Sequence, residues 1–142
     1  MKNERLRQGD IVAYSYRWNH ESFDTTENPK LRPACIALFM KGKKGQNLVA
    51  LLAISDQPHK IKDMSLELTE KDLIAAGLFT RRRAYIHLSE MNIDEVENSF
   101  SFIVTAKKFG RLPESTLRTL LEKLREQLKS KNTALIHRGR NG

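Results

Sequence analysis

Two long apolar runs dominate the hydrophobic pattern of the chain. Residues 34–40 are seven consecutive apolar residues after Pro33, and residues 48–54 are seven more after a basic turn that contains two glycines. Runs this short, bounded by polar turns, are typical of strands buried on both faces. The turn between them predicts an antiparallel hairpin. The start of the first strand and the end of the second therefore share one edge of the sheet.

Shorter signals predict the remaining strands. Residues 11–16 are rich in β-branched and aromatic side chains and follow a turn at residues 8–10. Residues 84–89 alternate strictly between apolar and polar side chains, which is typical of a strand with two different faces. Segments at 65–68 and 99–106 are further candidates. The polar residues 17–30 show no periodicity and predict a long loop, a kind of segment that is often functional or disordered.

Two helices are predicted. Thr69 is a good N-cap, acids follow it in the first helical turn, and Gly77 ends the segment. A longer helix begins near Pro113 and carries a leucine stripe at helical spacing, formed by Leu117, Leu120, Leu121, Leu124 and Leu128. This stripe is either core packing or a partner face. The stripe presents more apolar surface than one short helix needs for packing, which favours a homodimer.

These elements predict a mainly β (α+β) fold, a small curled antiparallel barrel with one short and one C-terminal helix. Residues 1–130 are of ordinary size for a single domain, and residues 131–142 are predicted to be a basic, flexible tail.

Composition adds a charge pattern. The net charge is +8, and residues 107–142 hold ten Lys or Arg against three Glu. Basic proteins often bind polyanions such as nucleic acids, although a solvated basic helix and tail would give the same count. The chain has no apolar stretch long enough to span a membrane and no signal peptide, and its single cysteine, Cys35, lies in an apolar run. We therefore expect a cytoplasmic protein in which Cys35 is a small core residue.

The hairpin edge carries the first candidate site. Arg32 enters the first apolar strand, and Ser55 and Asp56 leave the second, so a guanidinium and a hydroxyl are expected beside one another. In the 17–30 loop, Trp18 and His20 either stack on nucleic-acid bases or anchor the loop to the barrel.

Basic residues near the 84–89 strand form a second group of candidates. Arg81, Arg82 and Arg83 are either a phosphate clamp or a solvated turn, and His87 is either a general base or a structural residue. No metal-ligand or phosphate-binding glycine motif is present in the sequence, so neither a metal nor a cofactor is expected.

Three segments together resemble the MazF/PemK family of toxins. They are residues 9–12 opening a strand, Arg32-Pro33-Ala34 opening an apolar strand, and residues 53–56 closing another. Their order and spacing agree with the family, the final leucine helix also fits, and the similarity spans roughly residues 8–128. The chain differs from the family in having Ala53 in place of proline, Ser55 in place of threonine, and a longer 17–30 loop.

The resemblance implies an SH3-like barrel, a homodimer, and an endoribonuclease that needs no metal and is inhibited by a cognate antitoxin. Such enzymes cleave single-stranded RNA through attack of the ribose 2′-hydroxyl and leave a cyclic phosphate. Arg32 falls on the arginine expected to stabilise the phosphorane or act as general acid, and Ser55 falls on the hydroxyl residue. Two further hypotheses are a non-catalytic RNA- or protein-binding module on the same barrel and a DNA-binding regulator that uses the basic C-terminal helix.

Overall fold

The computed structural model of the protein describes residues 6–18, 31–96 and 108–138. Within these ranges it contains eight strands and two helices, which are, in chain order, β1 (Asp10–Tyr14), β2 (Arg32–Lys41), β3 (Asn47–Ser55), β4 (Ser65–Glu67), α1 (Glu70–Ala75), β5 (Tyr85–His87), β6 (Glu90–Glu95), β7 (Lys108–Arg111), α2 (Glu114–Lys129) and β8 (Ala134–His137). The candidate strand at 99–106 lies outside the described residues.

A single sheet joins all eight strands, with β3 at its branch point. The main path runs β4-β5-β3-β2-β1-β7, and β6 pairs with β3 on one side and with β8 on the other. Every pairing is antiparallel except that of β6 with β8. The sheet is open over the described ranges, so the closed barrel that the sequence predicts is not observed. The mainly β class is confirmed.

The β2–β3 hairpin forms as its sequence predicts. Its register runs from Lys41 opposite Asn47 to Ala34 opposite Ala53, with an irregularity between Ile36 and Leu38. Gly45 adopts a φ of 82° in the turn, a conformation that side chains other than glycine disfavour. The two faces of the hairpin carry different cores.

The first core lies under the helices. The stripe residues Leu117, Leu120 and Leu124 are buried in it, at 5% exposure or less, and Leu121 and Leu128 pack against it. The stripe is therefore core packing within this chain, and the argument for a homodimer from an exposed leucine face is wrong.

The short helix α1 is fastened to α2 through its predicted N-cap. Thr69 Oγ1 accepts from the Asp72 backbone N–H, and the Asp72 carboxylate accepts from the Thr69 N–H, which is a complete capping box. The second carboxylate oxygen of Asp72 accepts from Thr116 Oγ1 at 2.6 Å. One acid thus satisfies the start of α1 and also holds it against α2.

The second core lies on the opposite face of the sheet and has an aromatic and polar border. Its buried apolar side chains come from the three central strands and the segment after β1: Val12, Tyr14, Tyr16, Ala34, Ile36, Val49, Leu51 and Ala53. Within the described residues no helix belongs to this core. We refer to this side of the sheet as the second face.

Two strands differ from the sequence-based expectation. Residues 90–95, for which the sequence predicts no strand, form β6, in which buried Glu90, Asn92 and Asp94 alternate with buried Met91 and Ile93. The predicted flexible tail contains β8, which pairs in parallel with β6. Among the residues that the structure describes, neither helix is long and apolar enough to cross a membrane.

Candidate functional site

Arg32 and Ser55 lie at the same edge and on the same face of the sheet. The β2–β3 register ends at Ala34 opposite Ala53, and each candidate lies two residues beyond, on the side of its strand that carries these second-face alanines. Arg32 also pairs with Tyr14, another residue of the second face. Both candidates are half-buried. The structure therefore brings a guanidinium and a hydroxyl to one border of the second face.

Ser55 also connects β3 to the next strand and turn. It stands opposite Tyr85 on β5, and its Oγ accepts a hydrogen bond from the Gln57 N–H at 3.0 Å. Its hydroxyl hydrogen remains able to donate, since a hydroxyl carries one donor and two acceptor positions. Asp56, the next residue, is exposed at the turn.

A continuous row of rings borders this edge. Successive ring centroids are 6.4 Å apart from Tyr14 to Tyr16, 5.3 Å from Tyr16 to Trp18, 5.5 Å from Trp18 to His87, and 5.7 Å from His87 to His59. We call these five residues the aromatic row. Its edge-to-face contacts fix Trp18 against His87, a pair 69 positions apart in the sequence. Rings of this kind offer stacking surfaces for unpaired bases.

His87 is the most buried imidazole of the row, with 8% of its surface exposed. Its Nε2 lies 2.9 Å from the Gln57 carbonyl oxygen. Since a carbonyl only accepts, Nε2 carries the proton. Burial lowers the pKa of His87, and nearby His59 lowers it further, while the hydrogen bond to Gln57 acts in the opposite direction. His87 is accordingly neutral near pH 7.

A buried polar network supports the other end of the row. The Tyr14 hydroxyl donates to Asp94 Oδ2 at 2.7 Å, and Arg138 Nη1 donates to that hydroxyl at 3.2 Å. Burial, followed by the charge of Asp94, raises the pKa of Tyr14 far above its ordinary value. Burial and then Glu90 do the same to the pKa of Tyr16. Both phenols stay protonated, so they act as buried hydrogen-bond donors.

The network also fixes the chain just before Trp18. Asn92 Oδ1 accepts from the Arg17 N–H at 2.8 Å, and Asn92 Nδ2 donates to the Arg17 carbonyl at 2.8 Å. Arg138 Nη1 reaches the same Asn92 oxygen at 2.9 Å and the Ser15 carbonyl at 2.7 Å. Arg138, the residue after β8, therefore helps to fix the backbone that precedes Trp18.

No protein-family model and no curated protein matches this sequence. The functional interpretation therefore rests on the arrangement of the site residues on the second face.

The remaining predicted site residues are more scattered. Arg82 and Arg83 are exposed and Arg81 is half-buried, all on the segment that precedes β5 and not at its His87 end. His20 lies outside the described residues. Of the RNA-binding candidates, Trp18 and His87 are brought into direct contact.

Several residues of the site were not anticipated from the sequence. Tyr14 and Tyr16 precede the predicted Trp18 with the period of two that places side chains on one strand face, and this pattern would have revealed the row. His59, Asn92 and Arg138 gave no such signal. In the described ranges, no group of three or more His, Cys, Asp or Glu side chains is positioned to hold a metal ion.

A separate depression of about 530 Å³ lies beside the β2–β3 turn. Three lysines of that turn line it together with residues of β3, β6 and β8, namely Lys41, Lys43, Lys44, Leu48, Ile93, Asp94, Glu95 and His137. Its lining mixes both signs of charge and contains neither Arg32 nor Ser55, so it is distinct from the edge described above.

Proposed function

We propose that this chain is a metal-independent endoribonuclease of the MazF/PemK type, the toxin component of a toxin–antitoxin system acting on single-stranded RNA in the cytoplasm. The observation that carries the proposal is the position of Arg32 and Ser55 at one edge of the second face. The motif order that resembles the family supplies these same two residues. Trp18 and His59, the two partly exposed rings of the adjacent aromatic row, are suited to stacking with unpaired bases.

The two side chains suit an internal phosphoryl transfer. The ribose 2′-oxygen attacks the adjacent phosphorus, the bond from phosphorus to the 5′-oxygen breaks, and a 2′,3′-cyclic phosphate remains. Negative charge grows on the non-bridging oxygens as this happens. A guanidinium meets two such oxygens in a planar, two-point contact, and the Ser55 hydroxyl donates one further hydrogen bond. Arg32 is thus assigned stabilisation of the phosphorane, and Ser55 a supporting role.

Partners and architecture follow from the same resemblance. The proposal includes an SH3-like arrangement of the sheet, supported by the antiparallel order β5-β3-β2-β1-β7. It also includes a homodimer and a cognate antitoxin whose acidic, flexible segment folds over the region near Arg32. The net charge of +8 supports binding of both an acidic segment and RNA.

A cleavage assay on long RNA of mixed sequence tests the function. The parent protein is expected to cut at a limited set of sites, equally fast with and without EDTA, and to leave cyclic phosphate ends. Arg32→Ala should slow cleavage on the order of 100-fold or more. Arg118→Ala is the matched control, because Arg118 is exposed on α2 and lies away from the edge.

Two results would reject this function. If purified parent protein binds the RNA without cutting it, a non-catalytic binding module on the same sheet replaces the nuclease. If Arg32→Ala cleaves as fast as the parent and as Arg118→Ala, Arg32 does not have the role that the resemblance assigns to it.

A further inference from the structure

We propose that His87 is the general base of this reaction and accepts the proton of the attacking ribose 2′-hydroxyl at its Nδ1 atom. This inference rests on the proposed nuclease function and adds to it a residue that neither the family motif nor the Arg32–Ser55 pair provides. Three features of the described structure support it, namely the position of the imidazole, its fixed tautomer and its surroundings.

The imidazole lies on the same face as the other two site residues. Ser55 stands directly opposite Tyr85, and Tyr85 and His87 are alternate residues of β5, so their side chains project to the same side. The intervening Ile86 belongs to the helix-covered core on the other side. Two residues of extended strand span about 7 Å and neighbouring strands lie about 5 Å apart, so the backbones of His87 and Ser55 are about 8–9 Å apart.

The tautomer of His87 leaves the correct nitrogen for a base. Nε2 donates to the Gln57 carbonyl, so Nδ1 carries the lone pair. Within the described part of the chain Nδ1 makes no hydrogen bond, and it is not among the buried polar atoms that lack a partner. Most of the ring is covered, and 8% of the residue surface is exposed. The carbonyl holds the ring in place in the way that a base is oriented by a third group.

The surroundings keep this base unprotonated at neutral pH. The titratable neighbour that acts on it is His59, from the segment between β3 and β4. Trp18, packed against the ring, and Ser65, opposite it on β4, carry no charge. Burial and His59 both lower the pKa of His87. Because its pKa is lowered from 6.5, His87 is unprotonated at pH 7 and can accept a proton.

The proposed step conserves protons and electrons. The 2′-hydroxyl proton moves to Nδ1 as the 2′-oxygen forms its bond to phosphorus. The bond from phosphorus to the 5′-oxygen breaks, its electron pair stays on that oxygen, and water supplies the proton that completes the 5′-hydroxyl. His87 then loses its extra proton to solvent. Arg32 remains protonated throughout, because a guanidinium in a protein does not lose its charge.

The test uses a short RNA and a matched analogue. A cleavage site is first mapped on mixed-sequence RNA, and an oligonucleotide spanning it is made together with a version that lacks the 2′-hydroxyl at the cleaved nucleotide. His87→Gln preserves an N–H donor toward the Gln57 carbonyl but removes the base. We expect its kcat to fall on the order of 100-fold or more, with unchanged affinity for the 2′-deoxy oligonucleotide.

The pH profile separates a catalytic from a structural role. For the parent, log kcat/KM should rise with pH and level off above an inflection below pH 6.5, the ordinary pKa of histidine. His87→Gln should lose this acid limb, whereas His59→Gln should retain it. If His87→Gln is poorly folded by circular dichroism, His87→Asn takes its place, and the parent profile remains a test that needs no variant.

The outcomes distinguish the inference from the function. A parent protein that cuts no RNA rejects the nuclease and the base together. If the parent cuts and Arg32→Ala does not, but His87→Gln cuts within a fewfold of the parent rate or keeps the acid limb, the nuclease stands and His87 is not its base. A parent profile with no acid limb at any pH at which the protein stays folded has the same consequence for His87.

Discussion

Asn92 and the Arg17 main chain are joined as two paired strands would be. The Asn92 amide accepts from the Arg17 N–H and donates to the Arg17 carbonyl, both at 2.8 Å, although Arg17 lies beyond the end of β1. Arg138 donates to the same Asn92 oxygen. A side chain on β6 and a residue after β8 therefore fix the backbone that immediately precedes Trp18, whose ring contacts His87.

We expect Asn92→Ala to destabilise the protein. Asn92 is fully buried, and its removal leaves the Arg17 N–H and carbonyl without these partners and Arg138 with one acceptor fewer. Loss of a buried hydrogen-bond partner costs about 1–3 kcal/mol, and the free energy of unfolding in urea should fall by at least that amount. Trp18, the single tryptophan of the chain, should also shift its emission to longer wavelength in the native state.

Asn132→Ala is the matched control for that measurement. Asn132 also makes a side-chain hydrogen bond, to Gln127 at 2.9 Å, but it is exposed. Its removal should change the free energy of unfolding by less than about 0.5 kcal/mol. Equal losses in the two variants would show that the Asn92 contact does not hold the loop root.

Conservative changes at the proposed site should have graded effects on cleavage. Arg32→Lys keeps the charge but loses the planar two-point contact, so its rate should lie between those of the parent and Arg32→Ala. Ser55→Ala removes one hydrogen bond that water can replace, and it should slow cleavage less than Arg32→Ala does. Ser115→Ala, at an exposed position of α2, should match the parent. A Ser55→Ala rate below that of Arg32→Ala would reverse the roles assigned here.

Cys35 should be unreactive in the folded protein. The thiol is fully buried in the helix-covered core, and burial raises its pKa to about 12. The thiolate is the reactive form, so a disulfide reagent at pH 8 should label Cys35 at the rate at which the protein unfolds. Labelling in urea provides the control for full reactivity. Rapid stoichiometric labelling of the native protein would contradict the position of Cys35 in the core.

The elements that could be predicted from the sequence are those that local patterns determine. The β2–β3 hairpin follows from two apolar runs and their turn, and α1 follows from a capping box that its own residues complete. Their shared edge then places Arg32 and Ser55 together without further information. Local signals were sufficient here because each of these elements satisfies its backbone and buries its apolar face in the expected way.

Other parts of the fold depend on partners that are distant in sequence. The acids and the amide of β6 look like loop residues in the sequence. They can be buried in a strand only because Tyr14, Arg17 and Arg138 supply their hydrogen-bond partners. In the same way β8, with four residues, is too short to be predicted, and it forms because β6 offers it a free edge. The contact of Trp18 with His87 depends on both of these strands. A buried polar network is therefore the part of this site that sequence reasoning missed.

The stability of the protein should depend on pH through His87. Burial lowers the pKa of this imidazole in the folded state below its ordinary value of 6.5, so folding favours the neutral ring. The contribution of the neutral His87 ring to the free energy of unfolding is fully present above pH 6.5. It is lost as the pH falls through the lower folded-state pKa, because the unfolded chain then binds a proton that the native ring resists.

His87→Gln isolates this contribution, since glutamine does not titrate. Between pH 7 and pH 5 the free energy of unfolding should decrease more for the parent than for His87→Gln, and His59→Gln should keep a decrease of its own. Trp18 emission supplies a second readout, because a protonated His87 ring would quench the indole packed against it. If the parent and His87→Gln show the same pH dependence of unfolding, His87 is not held neutral in the folded protein. Its Nδ1 would then be protonated where the proposed reaction needs a base.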